Sequence, residues 1–588
     1  MKSIKRYISV ALSVCALFSE ANAETSSLNS ADYSIPDWTR LMQYAASMKP
    51  AGAPFSINMT VNGDPSTQMG FAWFTNPGVA AGMVQIVEKE NAVEEDFSNP
   101  AKTFPASAVN VSGLNYSIEA NRLDGITANQ KKDYVSHKAL ATGLRPSTGY
   151  SFRVGSEESW SQIGHFTTAS AQKDESYSFI YITDTQSQNS TMFDVSQKTV
   201  HAAVRTVPDA SFILCNGDLV ETSGNNNSEW EYEQWFSTMQ DIWLDYPLVV
   251  TMGNHDKSAN SNFAYHFNNN NSFNENSLVK ADMDGTVFSF IRGDVLYMVI
   301  NYENYGKEGY LSALADWMRR QVNEHKDVKW RVASFHKNMF TGSKSHQDDS
   351  DGKAVRKVML PLFEELGINI AFQGHDHIYE VIGPVSNISK TLVESAVGNV
   401  EIVSEGGARE NMTGKSGGVF DVSKGTLYFL NNSAGKKKYE PRDEQEMILS
   451  FSKHEIENYW GLFSGKFGQT GEPTFSKVEV SPNEFIITTY TVDDAGNANI
   501  FDSFKVRNNK VSGVSSISND LESVISVNDR FICLKGNNWN SLEIFDLTGK
   551  RMMNTSESYI DARELNNGYY IIKAKSQNGV YSRKILLN

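Results

Sequence analysis

The sequence predicts an α/β fold, with a layered β-sandwich core flanked by helices and β-rich domains on either side of it. From Tyr177 to about His377, short apolar strand patterns alternate with amphipathic helical patterns, which is typical of layered α/β domains. Before residue 170 only short alternating strand patterns occur, and beyond His377 the pattern returns to strands. At 588 residues the chain is also too long for a single compact core.

The charge balance bears on the classes of partner. The chain has 53 basic and 69 acidic residues, a formal net charge of -16. This excess of negative charge argues against nucleic acid as a stable partner and against an anionic membrane surface. A small anionic substrate remains compatible with it, because a bound metal ion reverses the local field.

The first 23 residues have the pattern of a secretory signal peptide. A basic start is followed by an apolar stretch from Ile8 to Phe18 and by the small-x-small sequence Ala21-Asn22-Ala23. The apolar stretch is well short of the ~20 residues that span a bilayer, and no other segment qualifies as a transmembrane segment. We therefore expect residues 1–23 to be removed, residues 24–45 to form a linker, and the protein to be exported.

Residues 46–170 are predicted to form a small β-sandwich. Strand patterns such as Phe55–Met59 and Met69–Phe74 are separated by turn residues. The stretch from His137 to Gly155 resembles a fibronectin-type-III-like module. Trp160-Ser161 and residues 164–169 narrow the resemblance to the N-terminal module of purple acid phosphatases.

Residues 173–508 are predicted to form the central domain, with five strand-like runs that each end at potential metal ligands. Open α/β sheets place ligand sites beyond the carboxyl ends of their strands, so these five ends can converge. The ends are Asp184-Thr185-Gln186, Gly217-Asp218, Gly253-Asn254-His255-Asp256, His336 and Gly374-His375-Asp376-His377. Predicted helices cover Met192–Val207, Glu229–Trp243, Tyr310–Glu324 and Ala354–Leu366.

Each of these pieces is weak on its own, since a lone Gly-Asp is usually a turn and a lone histidine after a strand is usually a partly buried side chain. Together, in this order, they resemble the calcineurin-like metallophosphoesterase family. The resemblance implies two metal ions, of Fe, Zn or Mn, which carboxylate, carboxamide and imidazole ligands suit. Asp218 would bridge both ions. Asp184, Gln186 and His377 would complete the coordination of one ion. Asn254, His336 and His375 would complete that of the other.

The resemblance also implies a mechanism, in which a hydroxide bridging the two ions attacks the phosphorus in line. His255 would then stabilise the transition state or protonate the leaving oxygen, and Asp256 would orient its ring. Structurally, this pair could instead be an ordinary turn. His266, His346, Lys337 and Asn338 are further candidates for phosphate contacts, although the sequence favours an ordinary loop residue at each of these positions.

Two positions depart from the family pattern. Most members have histidine where this chain has Gln186, whereas purple acid phosphatases have glycine there and supply a tyrosine in a Gly-Asp-x-x-Tyr motif. Glu221 stands at the position of that tyrosine. We therefore expect no purple charge-transfer colour, and we expect Glu221 to lie near the metals without coordinating them.

Residues 509–588 are predicted to form a linker and a last β-sandwich domain. Its segments Leu542–Lys550, Leu565–Ile572 and Lys584–Asn588 resemble the C-terminal sorting domain of type IX secretion cargo in Bacteroidetes-like bacteria. The resemblance implies the secretion machinery as a partner, and a secreted or cell-surface location reached through the periplasm. A plain accessory β-sandwich is the alternative.

The sequence thus favours a secreted dinuclear-metal phosphoesterase that hydrolyses small phosphomonoesters. Two alternatives stay open. The same metal core could serve a phosphodiesterase, because leaving-group choice depends on loops. Alternatively, the change at Gln186 could mark a catalytically impaired cell-surface binding protein on this scaffold.

Overall fold

The computed structural model describes most of the chain from residue 52 onward. The predicted signal peptide and the predicted linker at residues 24–45 lie outside the described residues. The described ranges are 52–98, 102–116, 131–222, 228–257, 262–269, 279–346, 349–386, 401–402, 410–411, 418–423, 425–443, 446, 462–509, 525–528, 530–534, 539–547, 549–576 and 579–587.

The N-terminal module consists of two β-sheets that enclose an apolar core, including Phe71, Trp73 and Phe152. Alternating apolar residues place one face of each strand in this core. The strands are Phe55–Thr60 (β1), Met69–Thr75 (β2), Met83–Val87 (β3), Lys102–Pro105 (β4), Ser107–Asn115 (β5), Lys131–Ala141 (β6), Gly149–Ser156 (β7), Ser159–Trp160 (β8) and Gly164–Thr167 (β9), with a 3₁₀ helix at Glu94–Ser98.

The central domain alternates strands and helices up to β16, as predicted. Its strands are Tyr177–Ile182 (β10), Ile213–Cys215 (β11), Leu248–Val250 (β12), Phe288–Arg292 (β13), Val295–Val299 (β14), Trp330–Lys337 (β15), Ile370–Gly374 (β16), Tyr379–Ser386 (β17), Glu401–Ile402 (β18), Glu410–Asn411 (β19), Val419–Asp421 (β20), Thr426–Asn431 (β21), Lys466–Gly468 (β22), Thr474–Val480 (β23), Glu484–Val492 (β24) and Ala498–Arg507 (β25). Its helices are Ser190–Thr206 (α1), Ser228–Thr238 (α2), Gln240–Trp243 (α3), Asn262–His266 (α4), Lys280–Met283 (α5), Tyr310–Glu324 (α6) and Ser350–Leu366 (α7).

Two large sheets pack face to face between layers of helices. Strands β10, β11 and β12 lie at the centre of one sheet, and β14, β15 and β16 in the other. Aromatic and β-branched residues from both sheets, among them Phe179, Tyr297 and Phe372, form the core between them. Helices α1 and α2 cover the outer face of the first sheet, while α6 and α7 cover that of the second. The predicted layered β-sandwich with flanking helices is therefore confirmed.

The N-terminal module and the central domain share one sheet. Strand β1 pairs in parallel with β12, with Thr60 opposite Leu248, so the eleven-stranded sheet runs in the order β20-β25-β24-β23-β10-β11-β12-β1-β2-β6-β5. The amide group of Gln240 adds two hydrogen bonds to the backbone of Ile57, at 3.0 and 2.8 Å. The N-terminal module thus extends the first sheet of the central domain.

The C-terminal domain forms sheets of its own around a small apolar core that includes Ile532, Ile544 and Ile572. Its strands are Ile525–Asn528 (β26), Phe531–Leu534 (β27), Trp539–Phe545 (β28), Arg551–Thr555 (β29), Tyr559–Asp561 (β30), Gly568–Ser576 (β31) and Gly579–Leu587 (β32). Within the described residues, no helix combines the length and the apolar character that a membrane span requires.

Candidate metal centre

The predicted ligand loops meet at one edge of the two packed sheets. Strands β10, β11 and β12 run parallel to one another, as do β15 and β16, so their carboxyl ends lie together. The loops after β10, β11, β12 and β16 carry the predicted residues. His336 instead lies within strand β15, one residue before its end.

The backbone at this edge is unusual, because four predicted ligands have left-handed conformations. The φ angles are 55° at Asp184, 31° at Gln186, 50° at Asp218 and 75° at His375. Such conformations are rare for residues other than glycine and concentrate at functional sites. Gly253 permits the close approach of these loops, since a Cβ there would collide with the backbone and carboxylate of Asp218.

Asp218, Asn254 and His336 form a tight group. Nε2 of His336 lies 3.2 Å from Oδ2 of Asp218 and 3.2 Å from Oδ1 of Asn254. Nδ1 of His336 donates a hydrogen bond to the carbonyl of Asn216 at 2.9 Å. A carbonyl only accepts, so Nδ1 carries a proton, and Nε2 is the ring atom that faces the group and can bind a metal ion once it has lost its own proton. Metal-binding histidines are commonly oriented by such a second hydrogen bond.

His375 completes this side of the site. One potential ligand atom from each of Asp218, His336 and His375 lies within 4.8 Å of the others, and all three side chains are buried. The backbone N–H of His375 donates to Oδ2 of Asp184 at 3.0 Å, which ties the two sides of the site together.

The other side contains Asp184, Gln186 and His377, which are fully buried and incompletely paired. Within the described residues, Oδ1 of Asp184, Oε1 of Gln186 and both ring nitrogens of His377 have no hydrogen-bond partner. Nε2 of His377 lies 3.3 Å from Oδ1 of Asp184, and Nε2 of Gln186 donates to Oδ2 of Asp218 at 3.3 Å. The ring of Tyr439 stacks on that of His377, with centroids 4.4 Å apart.

These donors fit the predicted metal ions. Leaving buried polar atoms unpaired costs free energy, about 1–3 kcal/mol each, so the unpaired ligand atoms of Asp184, Gln186 and His377 favour a bound group at this position. The oxygen and imidazole donors suit Zn, Mn or Fe. The structure brings all seven predicted ligands to one place, while their assignment to individual ions stays a prediction.

Burial and neighbouring charged groups shift the pKa values of three predicted ligands. Burial lowers the pKa of His336, but the carboxylates of Asp218 and Asp184 outweigh it and raise that pKa to about 10. Burial likewise opposes ionisation of Asp218, yet His336 and His255 lower its pKa to about 2. Burial and the neighbouring His346 and His336 hold the pKa of His375 well below its usual value.

The prediction that Asp256 orients the ring of His255 is wrong. Oδ2 of Asp256 accepts from the N–H of Gly253 at 2.9 Å, and Oδ1 accepts from the N–H of Leu219 at 3.1 Å and from the hydroxyl of Tyr232 at 3.0 Å. Asp256 therefore links the two loops that carry Asp218 and Asn254, because its carboxylate accepts a backbone hydrogen bond from each of them.

A backbone carbonyl orients His255 instead. Its Nδ1 donates to the carbonyl of Glu221, and its Nε2 lies 3.9 Å from Oδ2 of Asp218. The ring is therefore beside the predicted metal site and partly exposed. The carboxylate of Glu221 forms an ion pair with Lys437 at 2.5 Å, a residue that carries no motif signal in the sequence.

Of the four further candidates for phosphate contacts, His346 lies at the site. Its ring is 4.0 Å from that of His375, and its Nδ1 hydrogen-bonds Oδ2 of Asp349 at 2.9 Å. Lys337 is ion-paired with Asp351. Asn338 donates to Asp376 at 2.8 Å. His266 is fully buried in an aromatic stack, so it is excluded as a phosphate contact in this conformation.

The fold and the grouped side chains resemble those of a metallophosphoesterase domain. Family models agree: residues 177–379 match the calcineurin-like phosphoesterase domain, and residues 54–168 match the purple acid phosphatase N-terminal domain. Residues 524–588 match the secretion system C-terminal sorting domain, which implies export. The chain thus carries all three domain types that its sequence resembles.

Individual relatives point the same way. The chain is 25% identical to purple acid phosphatase 15 of Arabidopsis thaliana over 309 residues, which is 47% of this chain and 54% of that protein. It is 24% identical to acid phosphatase type 7 of Danio rerio over 306 residues, covering 46% and 64% of the two chains. The chain thus spans between half and two thirds of the length of these relatives. The structure of a purple acid phosphatase from yellow lupin shares the fold, with a TM-score of 0.54 and 12% identity over 78% of this chain and 75% of that one.

Proposed function

We propose that this protein is an exported metal-dependent phosphoric ester hydrolase whose preferred substrates are small phosphomonoesters. The observation that carries the proposal is the grouping of six buried side chains and the partly buried Asn254, all with oxygen or nitrogen donors, beside two histidines, His255 and His346, that are left outside the ligand set. Asp184, Gln186, Asp218, Asn254, His336, His375 and His377 would hold the metal ions, whose chemistry when bound would be to polarise the phosphate and to lower the pKa of a water molecule. The side chains described below supply the rest of the chemistry.

His255 is the proposed donor to the transferring phosphoryl group. Since Nδ1 is committed to the carbonyl of Glu221, Nε2 can donate a hydrogen bond only when the ring carries both protons. In that form the ring presents an N–H beside Asp218, next to the predicted metal site.

His346 is the proposed proton donor to the leaving oxygen. Asp349 holds Nδ1 of the ring, so Nε2 is free to face the site, next to His375. General acids contribute about 10²- to 10⁴-fold when positioned in this way. His346 is also partly exposed, as a group that meets the variable part of a substrate should be.

A preference for monoesters is supported by His255 and His346, whose rings lie beside the site. Both rings can hydrogen-bond the additional ionised oxygen that a monoester carries and a diester lacks. The match of residues 54–168 to the purple acid phosphatase N-terminal domain supports the same choice.

The test is hydrolysis by the full-length mature protein after reconstitution with Zn, Mn or Fe. We expect turnover of an aryl phosphate to exceed that of the corresponding bis-aryl phosphate by about tenfold or more, ~1.4 kcal/mol. Asp245→Asn, at a partly exposed position paired with His165, is the matched control and should behave as the native protein. The reverse preference would identify a phosphodiesterase. Fewer than two ions per chain, with no turnover of either ester, would favour the binding-protein alternative.

The proposed location is the cell surface or the medium, reached through the periplasm by a type IX secretion system. The sorting-domain match supports this proposal. Deleting residues 524–588 in a host with that system should leave the protein in the periplasm, whereas unchanged release of the truncated protein would contradict it.

A further inference from the structure

One short segment connects the N-terminal module to the metal site. Residues 262–269 follow the Gly253–Asp256 turn in the chain, and they begin with helix α4. Five consecutive backbone carbonyls of this segment, from residue 264 to residue 268, accept hydrogen bonds from side chains of the N-terminal module. The donors are Lys138 to Ala264 and Phe267, Ser136 to Tyr265, Asn58 to His266, and Thr60 and Asn62 to Asn268.

These hydrogen bonds satisfy the carbonyl groups at the carboxyl end of α4. The last carbonyls of a helix lack partners within the helix, and here the partly buried Lys138, together with Ser136 and Asn58 of the N-terminal module, supplies the donors. The amide of Asn268 donates in return to the carbonyls of Phe71 at 3.3 Å and Ala139 at 2.7 Å. The module thus hydrogen-bonds every backbone carbonyl from residue 264 to residue 268, which fixes the position of this segment.

His266 continues the connection through packed rings. Its ring stacks on Phe74 of the module at 4.4 Å and on Tyr232 of helix α2 at 4.7 Å, and Nε2 lies 3.3 Å from Oε2 of Glu229. His266, Tyr232 and Glu229 are all fully buried, so the stack has no room to shift without disturbing its neighbours.

Tyr232 connects His266 to the loops that carry the predicted ligands Asp218 and Asn254. Its hydroxyl donates to Oδ1 of Asp256 at 3.0 Å, and Asp256 accepts the N–H groups of Gly253 and Leu219. These two residues adjoin the predicted ligands Asn254 and Asp218. A contiguous path of contacts therefore runs from Phe74 through His266, Tyr232 and Asp256 to both loops.

We propose that the N-terminal module is a positioning element of the metal site, and that His266 is the positioning residue through which it acts on Tyr232 and Asp256. This inference rests on the proposed function for its kinetic readout only. Supporting groups of this kind typically contribute about 10- to 100-fold to metal affinity or activity. Because the path from His266 to the ligands runs through two further residues, we expect its contribution to be near the lower of these two values.

The experiment is a double-mutant cycle on the full-length mature protein. Tyr232→Phe keeps the ring and removes the hydroxyl, whereas His266→Gln keeps a donor for Glu229 and removes the ring. We expect each change alone to lower kcat and zinc affinity about 5- to 20-fold, with little change in KM. The double variant should lose no more than the worse single one, because both act through one path. Effects that multiply, or a lowered Tm with unchanged kcat and zinc affinity, would overturn the inference.

Lys138→Met tests the module itself, in case His266→Gln does not fold. It removes the donor to Ala264 and Phe267, and the same fall in zinc affinity is expected. Arg145→Met is the matched control in the module, since Arg145 pairs with Glu88 on the exposed surface. Equal zinc affinities for the two variants would overturn the inference. If the native protein turns over no ester, the proposed function fails, and the zinc affinities alone decide this one.

Discussion

The two sides of the metal centre differ in how they are held before a metal binds. His336 and Asp218 form a charged pair at 3.2 Å, and His336 is anchored by the Asn216 carbonyl. On the other side, His377 has no hydrogen bond from either ring nitrogen within the described residues, and the carboxamide oxygen of Gln186 is equally unpaired.

This difference assigns different work to the two sides. The side with His336 is already ordered by its ion pair. Metal binding there would replace the proton of the His336 imidazolium, so one positive charge would take the place of another. The side with His377 holds unpaired buried groups that an ion would satisfy. We therefore expect the first side to govern the stability of the metal-free protein and the second to gain most from metal binding.

The largest effect should come from the residue that both sides share. Asp218→Asn removes the charge that pairs with His336 and the bridging ligand of both ions. We expect a loss of turnover on the order of 10³-fold, or ~4 kcal/mol of transition-state stabilisation, and loss of tight metal loading. Steady-state kinetics and elemental analysis of the purified variant measure both. Full activity in Asp218→Asn would remove the proposed mechanism.

Removing one histidine from each side separates the two roles. In metal-free protein, His336→Ala leaves Asp218 buried without its main partner, and we expect a destabilisation of about 3 kcal/mol. His377→Ala removes unpaired buried nitrogens and should cost less than half of that. Chemical unfolding in the presence of a chelator gives both free energies. Equal costs would show that the two sides are organised alike.

The charged pair also predicts how the stability of the metal-free protein depends on pH. The pKa of His336 is raised to about 10, so its contribution is complete below about 6.5 and is lost as the pH rises towards 10. The pKa of Asp218 is lowered to about 2, so its contribution is present above about 3.8 and is lost as the pH falls towards 2.

The pair should therefore contribute most between about pH 4 and 6.5, by ~2 kcal/mol. Unfolding free energies measured from pH 6 to 9 should fall in His377→Gln, which keeps the pair, more steeply than in His336→Gln, which lacks it. Parallel curves for the two variants would contradict the assignment.

The smallest effect concerns the residue at which the chain departs from its family. Imidazole is a stronger ligand than a neutral carboxamide, so Gln186→His should tighten metal binding on the side of His377 by about tenfold, ~1.4 kcal/mol. Isothermal titration of metal-free protein measures it. Gln197→His, on the exposed surface of helix α1, is the matched control. Unchanged affinity would place Gln186 outside the coordination shell.

Local pattern was sufficient to locate the ligands. Helix α6 has the predicted bounds Tyr310–Glu324, and strand β10 lies within one residue of its prediction. Apolar runs that end in Asp, Asn or His are visible in sequence, since the strand period and the polar stop are both local features.

What the sequence did not reveal depends on contacts between distant residues. The pairing of β1 with β12 joins positions nearly two hundred residues apart, and an alternating strand pattern does not name its partner. The acceptor for His255 is the Glu221 carbonyl, a group that every residue type carries. Asp256 follows His255 in the chain, but adjacency in a turn does not fix where a side chain points.

Metal titration tests the central claim most directly. The metal-free, full-length mature protein is titrated with zinc, and bound metal and hydrolysis of an aryl phosphate are followed together. The account predicts two ions per chain, with activity that appears only as the second ion binds, and one ion or none in Asp218→Asn. Full activity at one ion per chain, or two tightly bound ions in Asp218→Asn, would contradict it.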